Sequence, residues 1–295
     1  MAKFVMSAFA DEASQNLDDQ IRVLNEEGIS KIELRGVDGV GCADIDVPKA
    51  KGVIAKLKAA GISLSALGSP YGKIGINDPF APHLEQLKRS LEICHILECD
   101  RIRMFSFYIP GDEEASKYRT KVMSQLEEMV YAAEKEGIYL CHENEKGIYG
   151  DTAERCADIR SYFGDKIGVI FDPANYIQVG TDPLEAYDLQ KNDITYFHMK
   201  DALKTDGSVV SVGRGDGSIP IILKCVKDGG IVGKENNNDS HDEPIILTIE
   251  PHLHVFGGLN GLQQEELKNK EAYPDSFTAF RAACSALKKC LKDIQ

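Results

Sequence analysis

Gly168-Val-Ile-Phe-Asp172-Pro173 and Ile194-Thr-Tyr-Phe-His198-Met-Lys200-Asp201 are the two runs whose reading decides the fold. Each is short and apolar and ends abruptly on a residue able to bind a metal. Between them, Asp182 to Gln190 carries a helical pattern. Strands buried on both faces of a parallel sheet read as such near-continuous apolar runs, and a helix between two of them makes a βαβ unit. Polar ligands at the carboxyl ends of successive parallel strands point to an active site at one end of an α/β barrel.

The same alternation extends in both directions. Lys3–Phe9, Lys31–Gly36, Ile62–Leu67, Arg101–Tyr108 and Ile138–Glu143 read as earlier strands, and Ile245–Glu250 as the last. Helical patterns follow at Leu17, Ile21 and Leu24, then at Val47–Ala60, Pro82–Leu97, Glu113–Glu136 and Thr152–Phe163, with Ser276–Leu291 closing the chain. Gly28, Gly61 and Gly137 stand where a left-handed cap would stop a helix. Eight strand–helix repeats predict an α/β fold, a closed (β/α)8 TIM barrel, formed by residues 1–295 as a single domain. An open doubly wound sheet is the structural alternative. The first strand–helix turn lacks GxGxxG and no GxxxxGK[ST] occurs, so neither dinucleotide nor nucleoside triphosphate binding has motif support.

A net charge of −13 argues against a surface built for nucleic acid or anionic lipid, both of which need a concentrated basic face. The eight cysteines form no CxxC pair and read as reduced thiols. The N-terminal apolar run is too short for a secretion signal, and no run approaches a membrane span. A cytoplasmic, soluble protein is the expectation.

Glu143, Asp172, His198 and Glu250 end the last four strands, each directly after apolar residues. One such residue would read as a rim ion pair, because an unpartnered charge is costly to bury. Four on consecutive strands lie within reach of one ion, and three carboxylates with one imidazole suit Mn²⁺, Mg²⁺, Co²⁺ or Zn²⁺.

Glu143-Asn144, Phe171-Asp172-Pro173, His198-Met-Lys200-Asp201, Gly213-Arg-Gly215 and Ile249-Glu250 together resemble the xylose-isomerase-like barrels of the sugar phosphate isomerase/epimerase group. The resemblance runs from the first strand to the eighth. It implies one divalent metal ion held by Glu143, Asp172, His198 and Glu250. It also implies a small keto-sugar, polyol ketone or sugar phosphate as substrate, with dimers or tetramers common. A Lewis-acid metal would stabilise an enediolate while one carboxylate removes a carbon-bound proton and another returns it. Similarity to the ketose 3-epimerases implies Glu143 and Glu250 as that acid/base pair. Many members carry His three residues after the strand-six aspartate, where this chain has Asn175; an amide binds a hydroxyl but carries no charge and relays no proton. The three-metal endonuclease-IV-like branch uses several more histidines to hold its cluster, ligands that this chain, with seven histidines in all and few at strand ends, lacks.

Asn175, Lys200, Arg214 and His252 are the candidate substrate contacts, with a structural ion pair as the competing role for Lys200. Glu33, Arg35 and His254 are further pocket candidates, whereas His142 alternates away from Glu143 and belongs outside the barrel. Leu203–Ile219 forms a loop on the catalytic face. The polar Gly229–Pro244 stretch, with its His241-Asp-Glu243 cluster, forms one at the opposite end. An isomerase or epimerase is the leading expectation. The alternatives are a lyase of the inosose dehydratase type and a non-catalytic sugar-binding barrel.

Overall fold

The computed structural model describes residues 3–111, 113–229, 244–254 and 271–294. The expected His241-Asp-Glu243 cluster and most of the loop carrying it lie outside them. Eight strands form one sheet: β1 (Phe4–Ala8), β2 (Lys31–Leu34), β3 (Ser63–Leu67), β4 (Arg101–Met104), β5 (Tyr139–Glu143), β6 (Gly168–Phe171), β7 (Ile194–Met199) and β8 (Ile245–Ile249). The ladder order is β1-β8-β7-β6-β5-β4-β3-β2, and every pairing is parallel. The terminal members β1 and β2 lie side by side, so the sheet curls into a nearly closed barrel rather than staying open. This is the TIM barrel that the strand–helix alternation predicts.

Helices α1 (Leu17–Glu26), α2 (Val47–Ala59), α3 (Phe80–Leu97), α4 (Arg119–Lys135) and α5 (Ala153–Phe163) follow the first five strands. After β6 come α6 (Pro173–Gln178) and α7 (Pro183–Gln190), after β7 α8 (Ile219–Gly229), and after β8 α9 (Ser276–Asp293). Side-chain caps start many of them: Asn16, Asp46, Thr152, Asp182 and Asp275 each accept a first-turn backbone N–H. The main core lies between helices and barrel, where Leu24, Val53, Leu91, Leu126, Ile159, Leu223 and Phe280 are buried. Their helical spacing puts one apolar stripe of each helix on the sheet.

The fourth strand and the helix after it depart most from their expected bounds. The fourth strand ends at Met104, not Tyr108, because the chain leaves the barrel to pair with the loop after β3. Phe105, Phe107 and Tyr108 donate N–H bonds to the carbonyls of Tyr71, Gly72 and Ile74. The helix expected from Glu113 begins as a 3-10 turn at Ala115 and becomes α4 only at Arg119. Among the described residues no helix is long and apolar enough to cross a membrane.

Candidate functional site

The carboxyl ends of the strands bring Glu143, Asp172, His198 and Glu250 together. Their ligand atoms all lie within 4.8 Å of one another, and all four side chains are buried. His198 Nδ1 is 3.0 Å from Glu143 Oε1 and 3.2 Å from Glu250 Oε2. Asp172 is placed by its own helix start: it caps α6, accepting the Asn175 N–H at 2.9 Å, with Pro173 in the first turn. Its backbone is tied to β5 by Asn144, which donates Nδ2–H to the Asp172 carbonyl and accepts the Asp172 N–H. Asn175 donates to the Asn144 carbonyl at 2.8 Å and faces Glu143 Oε1 at 3.4 Å. The amide that replaces an expected histidine therefore holds the β5–β6 loops together beside the acid cluster.

Basic residues from four strands close around this set. Lys200 Nζ lies 2.9 Å from Asp172 Oδ2 and 3.6 Å from Glu250 Oε2, so the ion-pair role weighed for it is present. Arg103, buried on β4, lies 3.3 Å from Glu143 Oε2 and 3.6 Å from Glu250 Oε1. Arg35 reaches Glu250 Oε1 at 3.1 Å while pairing with Asp11 at 2.9 Å and Glu12 at 3.2 Å. Glu12, Glu250 and His252 also stand close enough together to suggest a cation position. The Arg35 guanidinium, bonded to Glu12 and Glu250, already supplies positive charge there. His252, at a positive φ of 47°, sits 3.4 Å from Glu250 Oε1.

Burial and charge act against each other here. Burial works to raise the Glu143 carboxyl, but the His198 and Arg103 charges outweigh it and hold it at about 2. Glu250 is likewise pushed well down by Lys200, His198 and His252 against its burial. Asp172 goes the other way, to about 6: burial dominates, Lys200 works against it, and the Glu143 and Glu250 charges add to the rise.

The donors fit a divalent ion. Asp172 Oδ2 and Glu250 Oε2 are buried and make no well-aligned hydrogen bond, their charge being met by the Lys200 ammonium at 2.9 and 3.6 Å. Six buried carboxylates (Asp11, Glu12, Glu33, Glu143, Asp172 and Glu250) face Arg35, Arg103, Lys200 and His198, which still leaves an excess of negative charge that a cation would offset. Three carboxylates and one imidazole suit a hard or borderline ion.

Other expected contacts fall elsewhere. Arg214 is 72% exposed and pairs with Glu271 at 2.9 Å, so its position gives no support to the substrate contact expected of it. The glycines around it serve Asp201 instead. Its carboxylate accepts the N–H groups of Gly213, Gly215 and Gly217 at 2.9–3.0 Å, together with that of Ala202 at 2.9 Å. His142 packs outside the barrel as expected, with Nε2 3.0 Å from Ser106 Oγ. His254 lies near Asp275, the cap of α9. The reading from sequence missed Arg103 and the Asp11-Glu12 pair. The available signal was an arginine inside the apolar run Ile102-Arg-Met-Phe105 and two adjacent acids directly after the first strand.

The chain belongs to the xylose isomerase-like TIM barrel family, whose model matches residues 21–233. Among solved structures it is similar to an IolI protein with a bound zinc atom, at 14% identity and TM-score 0.73, covering 99% of each chain. It is similar to a D-psicose 3-epimerase from Clostridium cellulolyticum H10 solved with D-tagatose, at 14% identity and TM-score 0.72, covering 99% of this chain and 100% of that one. A probable 3-DHS dehydratase from Bacillus anthracis follows at 12% identity and TM-score 0.69, covering 97% and 98%. No curated protein matches the chain in sequence.

Proposed function

We propose that this protein is a divalent-metal-dependent isomerase or epimerase of a small keto-sugar, polyol ketone or sugar phosphate. The observation that carries the reading is the buried quartet Glu143, Asp172, His198 and Glu250, whose ligand atoms all lie within 4.8 Å of one another. Neighbours of the same fold that bind zinc or act as ketose epimerases support it. These four residues would hold the ion, which when bound supplies Lewis acidity toward substrate oxygens.

The rest of the chemistry belongs to the chain. Glu143 and Glu250 leave different strands, β5 and β8, and both are held ionised, so each is competent to accept a proton from a carbon beside a carbonyl. Returning that proton needs one carboxyl protonated. Lys200 and His252, 3.6 and 3.4 Å from Glu250, hold that carboxylate ionised and so suit it to the base role. Asn175, beside Glu143, offers an amide to a substrate hydroxyl.

The test is incubation of the metal-loaded protein with ketoses, their phosphates and inososes in deuterated water. Carbon-bound deuterium without loss of water supports isomerisation or epimerisation. Loss of a hydroxyl would transfer the same residues to a dehydratase. Absence of exchange with every substrate, together with no stoichiometric divalent ion after reconstitution, overturns the reading.

A further inference from the structure

His198 has two ring nitrogens, and only Nδ1 faces the acid cluster. Nε2 points the other way, toward Glu33 Oε2 at 3.1 Å. Glu33 comes from β2, which the ladder order separates from β7 by β8 and β1, so the contact crosses the barrel interior. The other Glu33 oxygen accepts the Tyr196 hydroxyl at 3.1 Å. Tyr196 and His198 are two residues apart on β7 and share its inward face. Glu33 and His198 are 0% exposed and Tyr196 1%. The Phe9 ring meets His198 edge-on at 5.2 Å, which restricts the imidazole further.

We propose that Glu33 is the positioning residue for His198: it holds Nε2 as the protonated nitrogen and so directs the Nδ1 lone pair at the cation. The proposal rests on the metal-dependent reading and adds to it a residue outside the ligand quartet. A carboxylate can only accept at this point, which fixes the Nε2 proton, and Nδ1, on the side of Glu143 and Glu250, is the nitrogen placed to face a cation. The negative charge also makes the imidazole a stronger donor to an ion, and removing such an outer carboxylate weakens metal affinity about 10–100-fold. Tyr196 keeps the carboxylate in register. A fully buried acid with no solvent to stabilise it is otherwise an expensive feature of a barrel interior.

Titration calorimetry of Mn²⁺ or Zn²⁺ into the metal-free full chain at one pH tests this. Glu33→Gln and Glu33→Ala should each raise Kd about 10–100-fold, and Tyr196→Phe, which keeps the carboxylate, should raise it less. The circular dichroism spectrum reports folding, and the near-isosteric Gln variant keeps the test available if the Ala variant misfolds. Unchanged affinity in a folded Glu33→Gln protein overturns the proposal. A second readout is independent of metal: ¹⁵N spectra of the His198 ring should show a hydrogen-bonded Nε2–H that is lost in Glu33→Ala, which has no acceptor at that point. If the wild type binds no divalent ion, the functional reading falls, but that spectrum still supports the positioning contact. An unprotonated Nε2 in the wild type overturns it.

Discussion

Arg103 Nη1 lies 3.3 Å from Glu143 Oε2, and the same nitrogen is 3.6 Å from Glu250 Oε1. One guanidinium thus spans the two proposed acid/base carboxylates. Its other nitrogens donate to the Gly68 and Ser69 carbonyls, and its plane is flanked by the Phe9 and Phe105 rings at 4.9 and 5.1 Å. Removing one partner of a buried pair strands the other, at about 3–5 kcal/mol. Arg103→Met should therefore lower the unfolding free energy by about that much in urea. A loss under about 1 kcal/mol would place the pair in the weak, surface-like class.

Glu143→Gln and Glu250→Gln should each reduce carbon–hydrogen exchange by about 10²–10⁴-fold, the usual scale of a general acid or base. Deuterium incorporation measured by NMR, with circular dichroism as the folding control, reads the effect. Wild-type exchange in either variant removes that residue from proton transfer.

Dialysis against a strong chelator should leave a folded but less stable protein. Restoring Mn²⁺ to about 100 times Kd should recover about 2.7 kcal/mol, seen as a higher melting temperature. Asp172→Ala, which deletes one of the four clustered side chains, should diminish that recovery. Identical melting with and without ion would argue against a site at the quartet.

Gly215→Ala tests the Asp201 cradle. An added Cβ would fall on Asp201 Oδ1 and the Ala202 carbonyl, and the latter, being backbone, cannot swing aside. The expected loss is about 1–3 kcal/mol, the range for forced overpacking. Gly111→Ala, with nothing within 4 Å of the added atom, is the control.

Thiol chemistry provides a pH-dependent check. Burial pushes Cys42, Cys156 and Cys284 up from 9.0 to about 12, while Cys225 is exposed. Between those values the unfolded chain has lost protons that the folded one retains. Stability from these groups is complete below pH 9 and falls as pH rises toward 12. A thiol reagent at pH 8 should label Cys225 rapidly and the three buried thiols only after denaturation. Replacing those three by Ala or Ser should flatten the alkaline limb of stability against pH. Rapid labelling of Cys42 in the native protein would contradict the burial argument.

Much of the barrel was legible because its signals are local. Gly168–Phe171 and Ile194–Met199 are mostly apolar and buried on both faces, as strands of a parallel barrel are. The four quartet residues stood out because each charge follows such a run. Short or capped elements were harder to read. α6 has only six residues, and its signature, Asp172-Pro173, had been read for chemistry rather than for helix capping. Arg214 stood out because a glycine-bracketed arginine on the active face looks like a ligand-binding loop. Its glycines instead present N–H groups to a carboxylate several residues away.

By itself the sequence determined the repeat of eight strands, their order along the chain and the four polar strand ends. Backbone periodicity and the cost of burying charge act within a few residues. Only the closed barrel decided which charges meet. Arg103 lies 40 residues from Glu143, Arg35 lies 215 from Glu250, and Glu33 lies 165 from His198. No spacing along the chain encodes such contacts. They arise because curling the sheet brings inward side chains of strands that are not ladder neighbours into one small interior, where each buried charge must find a partner.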